Sequence, residues 1–198
     1  MSNETPNEER IYKPYYHMDT DLFRWHQYQG DNTNDCAAFS IAIVGNALLN
    51  SLHFDGAAVA REMEKPFFAI WPLPHVGIHK IPNWATFPWG ISGYLQRKNI
   101  PAKLQWFGSL DSLLRNIQEN RFTIVILGDL LHRWAHAKVL YGFEPTGPLP
   151  ERGLYFVDPG YPREWSRPRH PRGVFLQDED EFKQQWGNLF RLSVEVGA

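Results

Sequence analysis

The amino-acid sequence predicts an α+β domain in which helices come first and an antiparallel sheet follows. Segment 35–52 is apolar on almost every side, which is typical of a helix buried in the middle of a domain. Segment 122–127 is an unbroken apolar run ended by a glycine, as expected of a central strand. Segments 135–143 and 154–157 look like strands, and the turn-rich stretch between them predicts an antiparallel hairpin.

The remaining elements follow from capping residues and periodicity. A short polar side chain at Asn34 or Asp35 can accept a free backbone N–H at the start of the buried helix, and Asp55 can do the same for the next helix. Further predicted helices cover 55–64, 89–97, 109–119 and 178–186, and further predicted strands cover 102–106 and 191–196.

Segment 65–90 differs from its surroundings because five prolines interrupt it and six of its residues are aromatic. Loops of this length usually bind ligands or are disordered, and this one is too aromatic to be disordered. We therefore expect an irregular insertion here. The predicted substrate-binding residues are its tryptophans Trp71, Trp84 and Trp89, together with Trp134 further along the chain.

A length of 198 residues suits one domain. Residues 1–24 show little periodicity and are predicted to form an N-terminal extension, so that 25–198 is the domain. The formal net charge of −2 argues against nucleic-acid binding. No stretch approaches the roughly 18 apolar residues of a membrane span, and the polar N-terminus does not resemble a secretory signal. We expect a cytoplasmic protein that binds neither nucleic acid nor membrane.

Two His-x-x-x-His pairs, His75 with His79 and His132 with His136, have the spacing of a helical zinc site. The first pair lies among prolines and the second spans the start of a predicted strand. Neither has the His-Glu-x-x-His form. We therefore predict no metal site and no cofactor.

Cys36 is the single cysteine of the chain, which excludes an internal disulfide. A lone cysteine is either a small buried apolar residue or a nucleophile. Its position at the first turn of the buried helix favours an anion, because backbone N–H groups there are free. His136 begins one strand of the predicted hairpin and Asp158 follows the other. Hairpin geometry brings both side chains to one edge of the sheet, facing the helix of Cys36.

This arrangement suits nucleophilic catalysis. A thiol attacks poorly until it is ionised, and its ordinary pKa is about 8.5. A neighbouring imidazolium favours the thiolate and can give its proton to a leaving group, while a third residue orients the ring. We predict that Asp158 does so by accepting the proton on Nδ1 of His136. The backbone N–H of Cys36 and the amide of Gln29 are the predicted donors to an oxyanion.

The motifs resemble those of papain-like cysteine peptidases of the C39-like type. They are Gln29 followed by Asp35-Cys36, then His136-x-x-Val139-x-x-Gly142, then Val157-Asp158-Pro159, and finally 182–186 before a closing strand. The resemblance covers 25–198 and implies a papain-like fold, in which a buried Cys-bearing helix packs on an antiparallel sheet carrying His and Asp. It implies Cys36 as nucleophile, His136 as general base and acid, Asp158 as orienting residue and Gln29 as oxyanion donor. The implied substrate is a peptide or protein, with or without a partner protein that delivers it.

The chain departs from the family pattern at two positions. Ala37 follows the cysteine where the family has glycine, and Gln29 lies seven residues before the cysteine where the family glutamine lies six before. Asn32 or Asn34 is therefore the alternative oxyanion donor. The leading hypothesis is a peptidase that cleaves a peptide or isopeptide bond through a thioacyl intermediate. The alternatives are an acyltransferase of the transglutaminase type and a catalytically inactive papain-like binding domain.

Overall fold

Helices and an antiparallel sheet together position the candidate residues. The structure, a computed structural model, describes residues 16–31, 33–69, 75–82, 84–146, 152–162 and 174–197. Its helices are a 3₁₀ helix (Leu22–Trp25), α1 (Cys36–Leu49), α2 (Gly56–Met63), α3 (Pro88–Arg97), α4 (Leu110–Gln118) and α5 (Glu179–Gly187). Its strands are β1 (Tyr16–His17), β2 (Phe67–Ala69), β3 (His75–Gly77), β4 (Lys80–Ile81), β5 (Ala85–Thr86), β6 (Ala102–Gln105), β7 (Phe122–Asp129), β8 (Trp134–Glu144), β9 (Gly153–Val157), β10 (Val174–Gln177) and β11 (Ser193–Val196). This mixture agrees with the predicted α+β class.

The main sheet runs in the order β10-β9-β8-β7-β11-β6, and its ladders are antiparallel. The predicted hairpin is present as β8 and β9, with Val139 opposite Val157. Strand β11 lies between β7 and β6, so the end of the chain completes the interior of the sheet. Strand β10, which the sequence pattern did not indicate, extends the sheet beside β9.

The predicted buried helix is α1, and residues 37–47 are buried. An apolar surface on all sides is required because α2, α3, the 3₁₀ helix and strand β8 all pack against this helix. The hydroxyl of Ser40 donates to the carbonyl oxygen of Ala137 at 3.1 Å. This bond joins the first turns of α1 to the β8 residue that follows His136.

The cap predicted at Asp55 is present, two further helices have side-chain caps, and α1 has none from its N-cap residue. Asp55 accepts from the backbone N–H of Ala58 at 2.8 Å, Ser109 forms a capping box at α4, and Asp178 caps α5. Asp35 occupies the N-cap position of α1, but its side chain makes no capping hydrogen bond. The carboxylate instead pairs with Lys80 at 3.0 Å, because an ammonium is a stronger partner than a neutral N–H.

The expectation of an irregular segment at 65–90 is wrong for its described part. This part forms two short antiparallel ladders, β2 with β3 and β4 with β5. Its prolines do not interrupt them, because Pro66 precedes β2, Pro82 lies in the turn after β4, and Pro88 begins α3. The segment also packs closely on α3, since a Cβ on Gly90 would lie 2.3 Å from the carbonyl oxygen of His79.

The described part of the predicted N-terminal extension belongs to the core. Tyr16 pairs with Phe143 near the C-terminal end of β8, beyond Val139, the last β8 residue that pairs with β7. Met18 and Leu22 are 2% and 0% exposed. Residues 1–15 lie outside the described residues. In the part of the chain that the structure describes, no helix has both the length and the apolar character needed to span a bilayer.

Candidate active site

Cys36 lies against strand β8 at the beginning of α1. Its Sγ accepts a hydrogen bond from the backbone N–H of Ala137, with a donor–acceptor distance of 3.4 Å. The Ser40 hydroxyl bonds to the carbonyl of the same residue. The two contacts fix the start of the helix on the strand next to His136, as the sequence predicts.

His136 and Asp158 form a hydrogen-bonded pair across the β8–β9 hairpin. Nε2 of His136 lies 2.6 Å from Oδ1 of Asp158, which also accepts the backbone N–H of Gly160 at 2.8 Å. Asp158 is 1% exposed and the imidazole 23%. The prediction that Nδ1 faces Asp158 is wrong, because the carboxylate on the neighbouring strand is reached by the outer nitrogen of the ring. The side chain of Cys36 also interacts with the imidazole and helps to raise its pKa.

The protonation of this pair follows from its contacts. Burial disfavours the imidazolium, but the hydrogen bonds to Asp158 and Cys36 and the charge of Asp158 outweigh it and raise the pKa of His136 to about 9. Burial also opposes the charge of Asp158, yet the bond to His136 and the nearby cations hold its pKa below the usual range. At neutral pH the pair is therefore an imidazolium and a carboxylate.

Lys138 is a member of this site that the sequence analysis missed. Its Nζ lies 3.5 Å from Oδ2 of Asp158 and 5.0 Å from the centre of the Phe156 ring, and its side chain is 13% exposed. The available signal was strand periodicity, because residues two apart in a strand share a face. Lys138 lies two residues after His136, opposite the end of β9. The buried carboxylate is thus shared by two cations.

The stability that His136 contributes should depend on pH in a defined window. Its pKa is higher in the folded protein than the ordinary value of about 6.5, so protonation favours the folded state. The contribution is complete below about pH 6.5 and is lost as pH rises through about 9. We expect the free energy of unfolding of wild type to exceed that of His136→Gln by on the order of 2 kcal/mol at pH 6.5 and by little at pH 9.5. Urea unfolding at both pH values measures this, and an unchanging difference would contradict it.

Because Gly160 has no side chain, the His136–Asp158 pair has room beside it. A Cβ at this position would lie 3.1 Å from both Cε1 of His136 and Oδ1 of Asp158. We expect Gly160→Ala to displace the ring by a few tenths of an ångström and to slow alkylation of Cys36 by iodoacetamide at pH 6.5 roughly tenfold, since small misplacements of interacting groups are costly. Gly187→Ala, whose Cβ would meet nothing within 4 Å, is the control. Equal alkylation rates of the two variants would show that the ring position is not critical.

The predicted oxyanion donor Gln29 lies on a segment packed against the Asp158 loop. Its backbone N–H donates to the carbonyl of Pro159 at 2.9 Å, and the nearby His26 ring contacts the carbonyl of Asp158 at 3.0 Å. The side-chain Nε2 of Gln29 donates to the carbonyl of Thr33 at 3.2 Å. Gln29 is thus beside Asp158 but engaged within its own loop. Its role stays a prediction, as does that of the alternative Asn34, and Asn32 lies outside the described residues.

Lys80, in the 65–90 segment, pairs with residues at the start of α1 and the end of α2. Its ammonium lies 3.0 Å from Asp35, the residue before Cys36, and also pairs with Glu64 at the end of α2. Lys80 is 2% exposed. Burial opposes the ammonium, but the two carboxylates raise the pKa of Lys80 above its ordinary value. One buried cation therefore links the insertion, α2 and the start of α1.

The predicted substrate-binding tryptophans are not all in one place. Trp134 lines a cavity of about 500 Å³ beside His136 and Asp158. Trp84 and Trp89 are 66% and 53% exposed and do not line that cavity. Trp71 lies outside the described residues. The structure therefore groups one of the four with the candidate catalytic residues.

Comparison with known proteins shows a shared fold. No family model matches the chain, and no curated protein matches it. Among solved structures, the chain is similar to a "putative C39-like peptidase" from Bacillus anthracis, with a TM-score of 0.60 over 91% of this chain and 96% of that chain. The two sequences are 11% identical. The likeness is therefore a distant one, at the level of the fold.

Proposed function

We propose that the chain is a cysteine-dependent acyl hydrolase, and specifically a peptidase that cleaves peptide or isopeptide bonds. The observation that carries the proposal is the 2.6 Å contact between His136 and a fully buried Asp158, in a ring that also bonds Cys36. The distant fold likeness to a C39-like peptidase adds support. A structural cysteine in the core would need neither a charged partner nor a buried carboxylate behind that partner.

In the proposed reaction, the Cys36 thiolate attacks the carbonyl carbon of the scissile bond. The negative charge that develops on the carbonyl oxygen is stabilised by the backbone N–H of Cys36 and by a side-chain amide, for which Gln29 is the candidate. His136 then gives its proton to the departing amine, and the C–N bond breaks to leave a thioester. Water, deprotonated by His136, hydrolyses the thioester and restores the thiol. Asp158 holds the ring throughout.

The test is the rate of Cys36 alkylation by iodoacetamide as a function of pH, which is unambiguous because the chain has one cysteine. An imidazolium held beside the sulfur favours the thiolate, so wild type should react rapidly at pH 6.5. His136→Ala should react at least tenfold more slowly at that pH, because an ordinary thiol is only about 1% ionised there.

His132→Ala is the matched control, since this exposed histidine lies in the turn that leads into β8 and pairs with Asp129. It should alkylate like wild type. The proposal fails if wild type and His136→Ala both follow the profile of an ordinary thiol. In that case the chain would be better described as an inactive binding domain.

A further inference from the structure

The cavity of about 500 Å³ adjoins the candidate triad on the imidazole side. His136 and Asp158 form part of its wall, and Cys36 is not among its described lining residues. Because the imidazole protonates the departing amine, the part of a substrate beyond the scissile bond lies on this side of the thiol. The volume is within the range of ordinary ligand sites and accommodates a long side chain.

The polar groups of the cavity present an unsatisfied hydrogen-bond acceptor. Glu181 accepts from Nε2 of Gln185 at 2.9 Å, and Oε1 of Gln185 accepts from Nε2 of Gln177 at 2.7 Å. A carboxylate can only accept, so it sets the orientation of both amides. Oε1 of Gln177 is therefore the acceptor at the end of this series of hydrogen bonds. Gln177 is 7% exposed, and this oxygen is buried with no hydrogen-bond partner among the described residues.

The other walls of the cavity suit a cation. Trp134 lies on one side, and Tyr161 stacks on Phe175 with ring centroids 4.5 Å apart. Asp158 in the wall is already shared by the imidazolium of His136 and the ammonium of Lys138, so the carboxylate left for an incoming cation is Glu181. Glu181 is exposed, and within the described residues no lysine or arginine pairs with it. Aromatic faces, a carboxylate and a buried carbonyl are together the partners that an ammonium or guanidinium needs.

We propose that this cavity binds the residue immediately after the scissile bond and selects lysine or arginine there. The aliphatic part of the side chain lies between Trp134 and the Tyr161–Phe175 pair. Its charged end donates to Oε1 of Gln177 and to the carboxylate of Glu181. The inference rests on the proposed function and adds to it the substrate class on the leaving-group side.

Acyl transfer tests the cavity without knowledge of the acyl-side preference. Thiolate attack on p-nitrophenyl acetate breaks the ester C–O bond and leaves acetyl-Cys36, while the His136 proton leaves with the p-nitrophenol, which ionises in solution to p-nitrophenolate. The α-amine of an added amino-acid amide then attacks the thioester, the C–S bond breaks, the amine proton passes to His136, and an N-acetylated amide is released. Water gives acetate instead. The ratio of N-acetyl product to acetate reports how well each amide occupies the leaving-group side.

We expect argininamide and lysinamide to give a ratio about tenfold higher than leucinamide, glutaminamide and glutamic acid amide. Glu181→Gln and Gln177→Leu should each reduce this preference to threefold or less. Asp180→Asn removes a charge from the neighbouring exposed position of α5, outside the cavity lining, and should retain the preference.

The outcomes separate the two proposals. A burst with no preference for basic amides, or with a preference that Glu181→Gln and Gln177→Leu leave intact, would overturn the inference about the cavity alone. Equal transfer to glutaminamide and argininamide would also overturn it, because the carboxylate would then play no part. A wild-type burst no larger than that of Cys36→Ala would overturn the proposed function, and the inference with it.

Discussion

Replacing Asp158 with alanine is expected to lower the p-nitrophenolate burst rate at pH 7 by about 10³- to 10⁴-fold, as removal of a triad member does in other enzymes. The carboxylate fixes the His136 ring through Nε2 and stabilises the imidazolium. It is also the counter-charge of the buried Lys138. Its removal should therefore lower the free energy of unfolding by about 3 to 5 kcal/mol as well. Burst kinetics and urea unfolding measure the two effects separately.

Asp158→Asn separates orientation from charge, because the amide oxygen can still accept from Nε2 and from the Gly160 N–H. We expect a smaller loss of rate than in Asp158→Ala. The upper limit of the pH–rate profile should move down from about pH 9, since the imidazolium loses its counter-charge. Asp129→Asn, on the exposed hairpin pair with His132, is the control and should leave the profile unchanged. Activity of Asp158→Ala within tenfold of wild type would exclude Asp158 from the mechanism.

Replacing Lys80 with methionine is expected to lower the free energy of unfolding by about 2 to 3 kcal/mol. The substitution leaves the Asp35 and Glu64 carboxylates near each other without the cation between them. Loss of one partner of a fully buried ion pair costs about 3 to 5 kcal/mol, and the carboxylates here are partly exposed, which reduces the cost. Because Asp35 precedes Cys36, alkylation of the thiol should slow too.

A second substitution tests whether the loss of stability comes from the unpaired charge. Lys80→Met combined with Glu64→Gln removes half of the unpaired negative charge and should recover part of the lost stability. Lys65→Met replaces the exposed lysine that follows Glu64. Its free energy of unfolding should lie within about 0.5 kcal/mol of the wild-type value. If the double variant is no more stable than Lys80→Met alone, the loss arises from packing and the charge pairing is not its cause.

Much of the fold could be predicted because it follows from local chemistry. The buried helix begins where its apolar run indicates but ends at Leu49, three residues before the predicted end at 52, and Asp55, Ser109 and Asp178 lie at the starts of the next predicted helices. The strand-turn-strand pattern after residue 134 predicts the β8–β9 hairpin. These features depend on residues a few positions apart, whose preferences act through the same turn or the same strand face.

Other features could not be predicted because their partners are far apart in the chain. The capping carboxylate expected at Asp35 is taken by Lys80, 45 positions later in numbering, and no local pattern shows that competition. The short ladders in the described part of the 65–90 segment were not predicted because its prolines suggested an irregular loop, whereas Pro66, Pro82 and Pro88 lie outside the strands or in a turn. The pairing of β1 with β8 likewise uses the part of β8 beyond the beginning of the β7 ladder, where Ile124 pairs with Val139.

For the candidate site, the sequence by itself determined which elements carry Cys36, His136 and Asp158, since a helix start and a hairpin leave few ways to arrange them. Only the tertiary structure decided that Nε2 faces Asp158, that Lys138 shares the carboxylate, and that a cavity with a buried free acceptor opens on the imidazole side. The physical reason is that periodicity and capping act over a few residues. Charge pairing and cavity shape arise where distant segments meet.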